Sequence, residues 1–353
     1  MLEDESLIVL VSSNGGGSGI RDVVASFNND RIRLVETKNF MPMALHWEFA
    51  CSNAVGDVIS IIGDDDAVVP GTAQTVASLF NNYPAAECIT QSPAHYYWPD
   101  YPICYCANKY REPECKGDVI ELEPFGVLKK VIEMREWYGK LPYLYHGFVK
   151  RDVLERIRLN DGSIFKRIAP DIYSDFALAT HIKSYIRANY CLTVGGQGAK
   201  SNGANFILNT ELGKDFLKDL PEALKPRLTG KSINLQIYEY SRLFIPSTLK
   251  RSEINSTWSM FVLRTLFEAA KNAENKDEIL IDLYKVLNDE VNPIKLFFFN
   301  LLIKLVKVNV IAVGITYLNE LRQKRIMKSW SDASYLNATN VFHVAQYISK
   351  STK

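Results

Sequence analysis

Two hydrophobic periods alternate along the first two hundred residues. Short apolar, β-branched runs at Leu7–Ser12, Ile32–Val35, Asp57–Ile62 and Glu87–Gln91 read as strands. Between them, Ile20–Phe27, Pro42–Asn53 and Gly71–Asn81 carry helical spacing. The pattern continues with a helix over Pro124–Trp137, a strand over Tyr143–Val149, and helices over Arg151–Ile157 and Phe176–Tyr185. Such alternation predicts an α/β fold with a mainly parallel sheet flanked by helices. Ligands then gather at the carboxyl ends of the strands. Pro93–Pro124, rich in Pro, Tyr and Cys, is expected to form a long excursion over that site.

The pattern changes from about Asn209. Helical spacing runs through Ser232–Pro246, Ile254–Asn272, Lys276–Asn288 and from Pro293 to about Arg325. We therefore divide the chain at 207/208, into an α/β domain over 1–207 and an appended C-terminal all-α domain over 208–353. Phe297–Leu318 is strongly apolar, but its longest uncharged stretch, Val308–Leu318, is 11 residues, too short to span a bilayer. Asn300, Lys304 and Lys307 share one narrow helical face, and residues 291–330 hold seven Lys/Arg against one Glu. Two readings fit: a core or dimer-interface helix in a homo-oligomer, or peripheral contact of 293–328 with an anionic membrane.

The chemistry concentrates in three places. Asp64-Asp65-Asp66 directly follows the apolar run ending at Ile62-Gly63. Three carboxylates at a strand end repel one another unless a cation or hydrogen-bond donors sit among them. Hard oxygen ligands suit Mg²⁺ or Mn²⁺, which bridge to phosphates. The alternative is an acidic turn capping the helix that begins near Pro70. Asp171 and Asp175 open a helix after Ala169-Pro170, where a carboxylate is either a general base or a helix cap. Gly195–Asn205 is glycine-rich and reads as a mobile loop or connector; its Lys200 could neutralise a leaving diphosphate.

Together these segments resemble the family 2 glycosyltransferases of the GT-A fold. The run Ala54-Val55-Gly56-Asp57, the strand after it and Gly63-Asp64-Asp65-Asp66 match that family's Ala-x-Gly-Asp, strand and Asp-x-Asp order. Leu7–Gly15 looks like its second strand and turn, and Phe27–Val35 like its third strand with the preceding helix end. The resemblance covers roughly residues 5–205. It implies an inverting, metal-dependent, hexosyltransferase-type enzyme. A nucleotide-diphospho-sugar donor would contact Ser13, Asn14, Asp64, Asp65 and Lys200. Mg²⁺ or Mn²⁺ would sit on Asp66 and Asp64. Asp171, with Asp175 as second choice, would deprotonate a glycan or lipid-linked acceptor in surface polysaccharide assembly. Two departures stand out. The family's first strand and helix, with its base-binding turn, have no counterpart, and Ser13 stands where the family usually has Asp. Both imply weakened nucleotide-base contact.

Composition narrows the classes. A net charge of +1 over 353 residues, with no basic run interleaved with aromatics in the first two hundred, argues against nucleic-acid binding. The acidic start Met1-Leu2-Glu3-Asp4-Glu5 is unlike a signal peptide. With six cysteines it points to a cytoplasmic chain, or one peripheral to the inner membrane face. His95, Cys104, Cys106 and Cys115 lack the paired Cys-x-x-Cys spacing of a zinc site. A rival dinucleotide-dependent oxidoreductase reading rests on Gly15, Gly17 and Glu36, but Ile20 occupies the third glycine position. The remaining alternative is a non-catalytic binding module with the same fold.

Overall fold

A computed structural model describes residues 5–201, 221, 227–228, 231–244, 258–272, 274–307 and 309–351, with backbone alone at 18, 309–316 and 351. The expected β1 (Val9–Ser13), α1 (Ser18–Ser26), β2 (Ile32–Glu36), α2 (Met43–Asn53) and α3 (Thr72–Asn82) are all present. Strands β1 and β2 pair in parallel as a two-stranded sheet.

Two five-stranded sheets follow. The first runs β3 (Val58–Ile59), β9 (Phe148–Lys150), β5 (Cys88–Thr90), β10 (Tyr185–Ala188) and β8 (Val119–Leu122). The second runs β12 (Ser331–Asp332), β7 (Lys109–Arg111), β6 (Ala94–Tyr97), β11 (Thr193–Gln197) and β4 (Ala67–Val68). The α/β class is as expected, but the pairing is mixed. Only β5 with β10 and β6 with β11 are parallel within these sheets. Part of the difference comes from β9, antiparallel to both β3 and β5, and part from the Pro93–Pro124 excursion, which folds back as β6, β7 and β8. Close connections of that kind join antiparallel neighbours.

Three local differences matter for the site. The Asp57–Ile62 run holds ladder pairing only at Val58 and Ile59 and then makes a single bridge from Ile61 to Tyr145. The expected Tyr143–Val149 strand is likewise confined to its end, because His146 takes a left-handed φ of 65° and interrupts it. Gly195, Gly196 and Gln197 lie in strand β11 rather than in a loop; residues 202–205 of that expected loop lie outside the described residues.

Helices α4 (Pro124–Ile132), α5 (Arg151–Asp161) and α6 (Pro170–His181) cover the first sheet. Helix α6 starts at Pro170, whose fixed φ suits a first turn, and ends before the expected Tyr185, which enters β10. The tail supplies α7 (Ile233–Phe244), α8 (Trp258–Lys271), α9 (Lys276–Glu290), α10 (Pro293–Lys307) and α11 (Asn309–Lys328). The single helix expected from Pro293 to about Arg325 is thus two, and Val308 between them lies outside the described residues, as do 254–257 and Pro246. These helices share one core with the α/β part: Leu128, Ile172 and Phe176 pack in the same cluster as Tyr240, Val262 and Leu283.

The chain's last described segment does not stay with the tail helices. Strand β12 pairs with β7, and helix α12 (Val341–Ser351) packs Val341, Val344, Ala345 and Ile348 against Tyr96, Ala67 and Val194. The division at 207/208 places this segment in the helical domain; in the structure it completes the second sheet.

Candidate active site

Chain crossovers between the two sheets build the site. The chain passes from first sheet to second between β3 and β4, again between β5 and β6, and again between β10 and β11. Asp64, Asp65 and Asp66 occupy the first crossover, Gln91 the second, and Leu192 precedes β11 in the third. The Gln91 side-chain amide donates to Thr193 Oγ1 at 2.6 Å and to the His146 carbonyl at 3.1 Å, while its oxygen accepts from Leu192 N at 3.1 Å. One buried glutamine therefore ties two crossovers to the turn before β9.

That turn carries Tyr145 and His146, which the sequence reading did not single out. Both reach Asp66. The Tyr145 hydroxyl donates to Asp66 Oδ2, and His146 Nε2 lies 3.3 Å from the same oxygen. Gly63 N donates to Oδ2 at 2.7 Å and Gly196 N to Oδ1 at 2.8 Å. The Asp66 side chain is 1 % exposed. Burial alone would raise its pKa, but the bonds and charge of His146, with Tyr145 and Gly63, outweigh it and hold the carboxyl below the usual range. His146 Nδ1 meets Thr193 Oγ1 at 2.9 Å. Trp47 of α2 stacks on Tyr145 with centroids 5.3 Å apart and braces it from the far side.

Asp65 and Asp64 complete the turn. Asp65 Oδ2 accepts from the Ser201 hydroxyl, and the Asp65 carbonyl accepts from Trp98 Nε1 at 3.2 Å. Burial pushes the Asp65 carboxyl up, Ser201 opposes that, and the Asp66 and Asp64 charges add to it. Asp64 is exposed. Lys200 is exposed too, on the turn closed by Ser201 N to Gly198 O at 3.2 Å, one residue from the hydroxyl that holds Asp65. The structure thus brings Asp64, Asp65, Asp66 and Lys200 together. The enabling signal was the glycine pair. A Cβ on Gly196 would lie 1.8 Å from the Asp65 carbonyl oxygen, so only glycine lets β11 pass this close to the turn.

The residues present fit a divalent cation in part. Among the described residues no group of three or more His, Cys, Asp or Glu is arranged to hold one. Asp66, expected as a ligand, has both oxygens committed to internal donors. Asp64 is exposed and Asp65 half-buried, and Mg²⁺ commonly binds through one or two carboxylates plus substrate phosphates.

Ser13 and Asn14 are placed differently from the expectation. Ser13 is 3 % exposed, and its carbonyl accepts from Thr37 N at 3.1 Å. The Asn14 amide donates to the Met41 carbonyl and its oxygen accepts from Met41 N, both at 2.8 Å. These side chains pin the end of β1 to residues 37–41. Glu36, the acid of the dinucleotide reading, is held by Arg21 at 2.6 Å.

The second pair of carboxylates sits on α6. Ala169 is the N-cap and Asp171 falls in the first turn. Burial raises the Asp171 pKa, partly offset by backbone N–H groups of Ile172 and Asp171. Its charge is felt at Tyr145, whose hydroxyl is pushed up first by burial and then by Asp66, Asp65 and Asp171. Asp175 is 5 % exposed and its Oδ1 has no hydrogen-bond partner. Burial, then the Asp171 charge, pushes its carboxyl well above the usual range.

No family model and no curated protein matches this chain. Among solved structures it is similar to S. aureus TarS 1-349, at 13 % identity and a TM-score of 0.42, over 90 % of this chain and 83 % of that one. It is also similar to a longer S. aureus TarS chain at 11 % identity and a TM-score of 0.41, over 89 % of this chain but only 48 % of that one. Likenesses this distant leave the reading of the site to its own geometry. Among the described residues no helix is long and apolar enough to cross a membrane.

Proposed function

We propose that this protein is a glycosyltransferase, moving a sugar from a nucleotide-diphospho-sugar to an acceptor hydroxyl with inversion, in the assembly of surface polysaccharide or a related glycan. The observation that carries this reading is the clasped acidic turn. Two sheets, a tyrosine, a histidine and a glycine backbone fix Asp66, with Asp64 exposed on the same turn and Asp65 held by Ser201, the residue after Lys200. Mg²⁺ or Mn²⁺ would be held by Asp64 and Asp65, in place of the expected Asp64 and Asp66. When bound there it supplies charge neutralisation of a leaving diphosphate. Lys200 adds a positive charge on the same side. Asp171 accepts the proton of the acceptor hydroxyl as the acceptor oxygen bonds to the anomeric carbon and the bond to the diphosphate breaks. Its raised proton affinity brings it nearer the working pH, which strengthens a general base. Asp175 is held toward its neutral form and keeps a second negative charge away from that base. A glycan or lipid-linked molecule is the acceptor we propose.

A hydrolysis screen across UDP-, GDP- and dTDP-sugars, with and without Mn²⁺, tests the proposal. Release of nucleotide from at least one donor, lost in Asp171→Asn, supports it; no release and no calorimetric binding of any donor overturns it. The complete internal commitment of Asp66 favours one second reading, a binding module without turnover. That reading predicts donor binding that is indifferent to metal and unaccompanied by hydrolysis.

A further inference from the structure

Helix α10 is apolar on two opposite faces, and the core uses only one of them. Phe299 and Ile303 are buried, with Leu296, Leu302 and Val306 packed against the same cluster. Ile294, Phe297, Phe298, Leu301 and Leu305 point the other way and are 46–74 % exposed. At 3.6 residues per turn these five fall within an arc of about 100°. Lys295 and Lys304 are exposed and flank that arc on its two sides. An exposed apolar stripe of this size on a folded protein marks a contact surface. Helix α11 packs on α10 and extends the surface with exposed Tyr317, Leu318 and Leu321.

Charge decides what covers the stripe. Residues 291–330 carry seven Lys/Arg and one Glu, a net +6, whereas the whole chain nets +1. The rest of the molecule is therefore net negative, and the excess positive charge lies on the segment that carries the stripe. A second copy meeting this face across a two-fold axis would set the same lysines against each other, which opposes association. An anionic surface instead gains from Lys295 and Lys304, and its acyl boundary takes the aromatic and aliphatic side chains. No described helix can span a bilayer, so the contact lies in the interface plane. We infer that the outer face of α10, bordered by Lys295 and Lys304 and continued by α11, rests on an anionic lipid surface. This inference stands apart from the transferase reading, because it uses no residue of the site.

Flotation with lipid vesicles tests it on the 353-residue chain without donor or acceptor. Binding is expected to vesicles of phosphatidylcholine with about a third phosphatidylglycerol, and to fall steeply with salt, as exposed charges are screened. Each lysine near such a surface is worth about fivefold in partition. Lys295→Glu with Lys304→Glu should therefore reduce binding by at least about tenfold. Phe297→Ser with Phe298→Ser should abolish it. All four side chains are exposed, so unchanged circular dichroism and melting are expected alongside. Failure of the folded wild type to float, flotation equal on neutral vesicles, or insensitivity to the lysine reversals would overturn the inference. So would a stable dimer in sedimentation that the two phenylalanine substitutions dissociate.

Discussion

Asp66 shows how a single carboxylate can organise a site without contacting a ligand. Its oxygens accept from two backbone amides and the Tyr145 hydroxyl, and His146 lies beside them. Asp66→Asn places an NH₂ where donors converge and removes the charge that balances His146. We expect a loss of about 2–4 kcal/mol in stability, the scale of a broken buried polar cluster, read by urea denaturation. The sign with pH is fixed. The folded Asp66 pKa lies below the unfolded value, so its stabilisation is complete above about pH 4 and is lost as pH falls through the folded pKa. Wild type and Asp66→Asn should converge in stability at strongly acid pH. Asp175 has the opposite sign. Its folded pKa lies above the unfolded one, so the folded state binds the extra proton and loses stability as pH rises past about 4. Asp175→Asn should stabilise the protein at pH 7 by about 1–3 kcal/mol, the usual cost of an unpaired buried polar group, and the gain should shrink toward pH 4. Asp171→Asn should instead lower turnover by about 10²-fold or more with donor affinity retained. A turnover loss in Asp175→Asn with full activity in Asp171→Asn would reverse the two roles. The acid triplet itself was plain in the sequence as like charges after an apolar run. Tyr145 and His146 were not, because they lie about eighty residues away and no local pattern marks a side chain that acts through tertiary contact.

At the scale of elements, the site depends on how closely β11 approaches the acidic turn. Gly196 donates its amide to Asp66 and passes under the Asp65 carbonyl with no room for a side chain. Gly196→Ala forces a Cβ against backbone oxygen rather than against a flexible side chain, so the turn or the strand must shift. We expect a destabilisation of about 1–3 kcal/mol, typical of overpacking, together with loss of Mn²⁺-dependent nucleotide binding in calorimetry. Retained binding at wild-type affinity would show that the turn tolerates the shift and is not the donor site. Gly198→Ala is the fitting control, because its Cβ would meet its nearest atom at 3.3 Å, a side-chain oxygen of Asp100. The same strand explains what sequence periodicity could and could not deliver. Strands β1 and β2 were legible as short apolar runs, and helix α3 because Thr72, Val76 and Leu79 bury one face at helical spacing. Strand β11 carries glycines where strands usually carry β-branched residues, and β10 follows a helix so closely that its residues read as helical continuation. Tertiary pairing with β6 and β5 decides both.

At the scale of the whole molecule, the chain closes on itself through its C-terminal segment, and this gives the last prediction. Asp332 receives Lys109 Nζ at 3.2 Å and pairs through β12 with β7, while its Oδ1 accepts from Ser334 N and caps the short turn that follows. Helix α12 then buries Val344, Ala345 and Ile348 over β4 and β11, the two strands that bracket the acidic turn. These residues are more than a hundred positions from β11 in sequence, and helical spacing alone could not say which surface they cover. Their burial is apolar, and each fully buried aliphatic side chain contributes about 1.5–3 kcal/mol. Removing residues 331–353 would expose Tyr96, Val194 and Ala94 at once and leave β7 as an open edge. The second sheet should then loosen while the first, whose core lies against α5 and α6, is retained. Since Gly196 and Ser201 reach the acidic turn from the second sheet's side, the truncated chain should lose Mn²⁺-dependent nucleotide binding. It should also become sensitive to proteolysis within residues 93–122. Amide hydrogen exchange can read both sheets in one experiment. Fast exchange confined to β4, β6, β7 and β11 is the expected result. Unchanged protection of β11 together with full nucleotide affinity would mean that the C-terminal helix is a passenger on a sheet that stands without it.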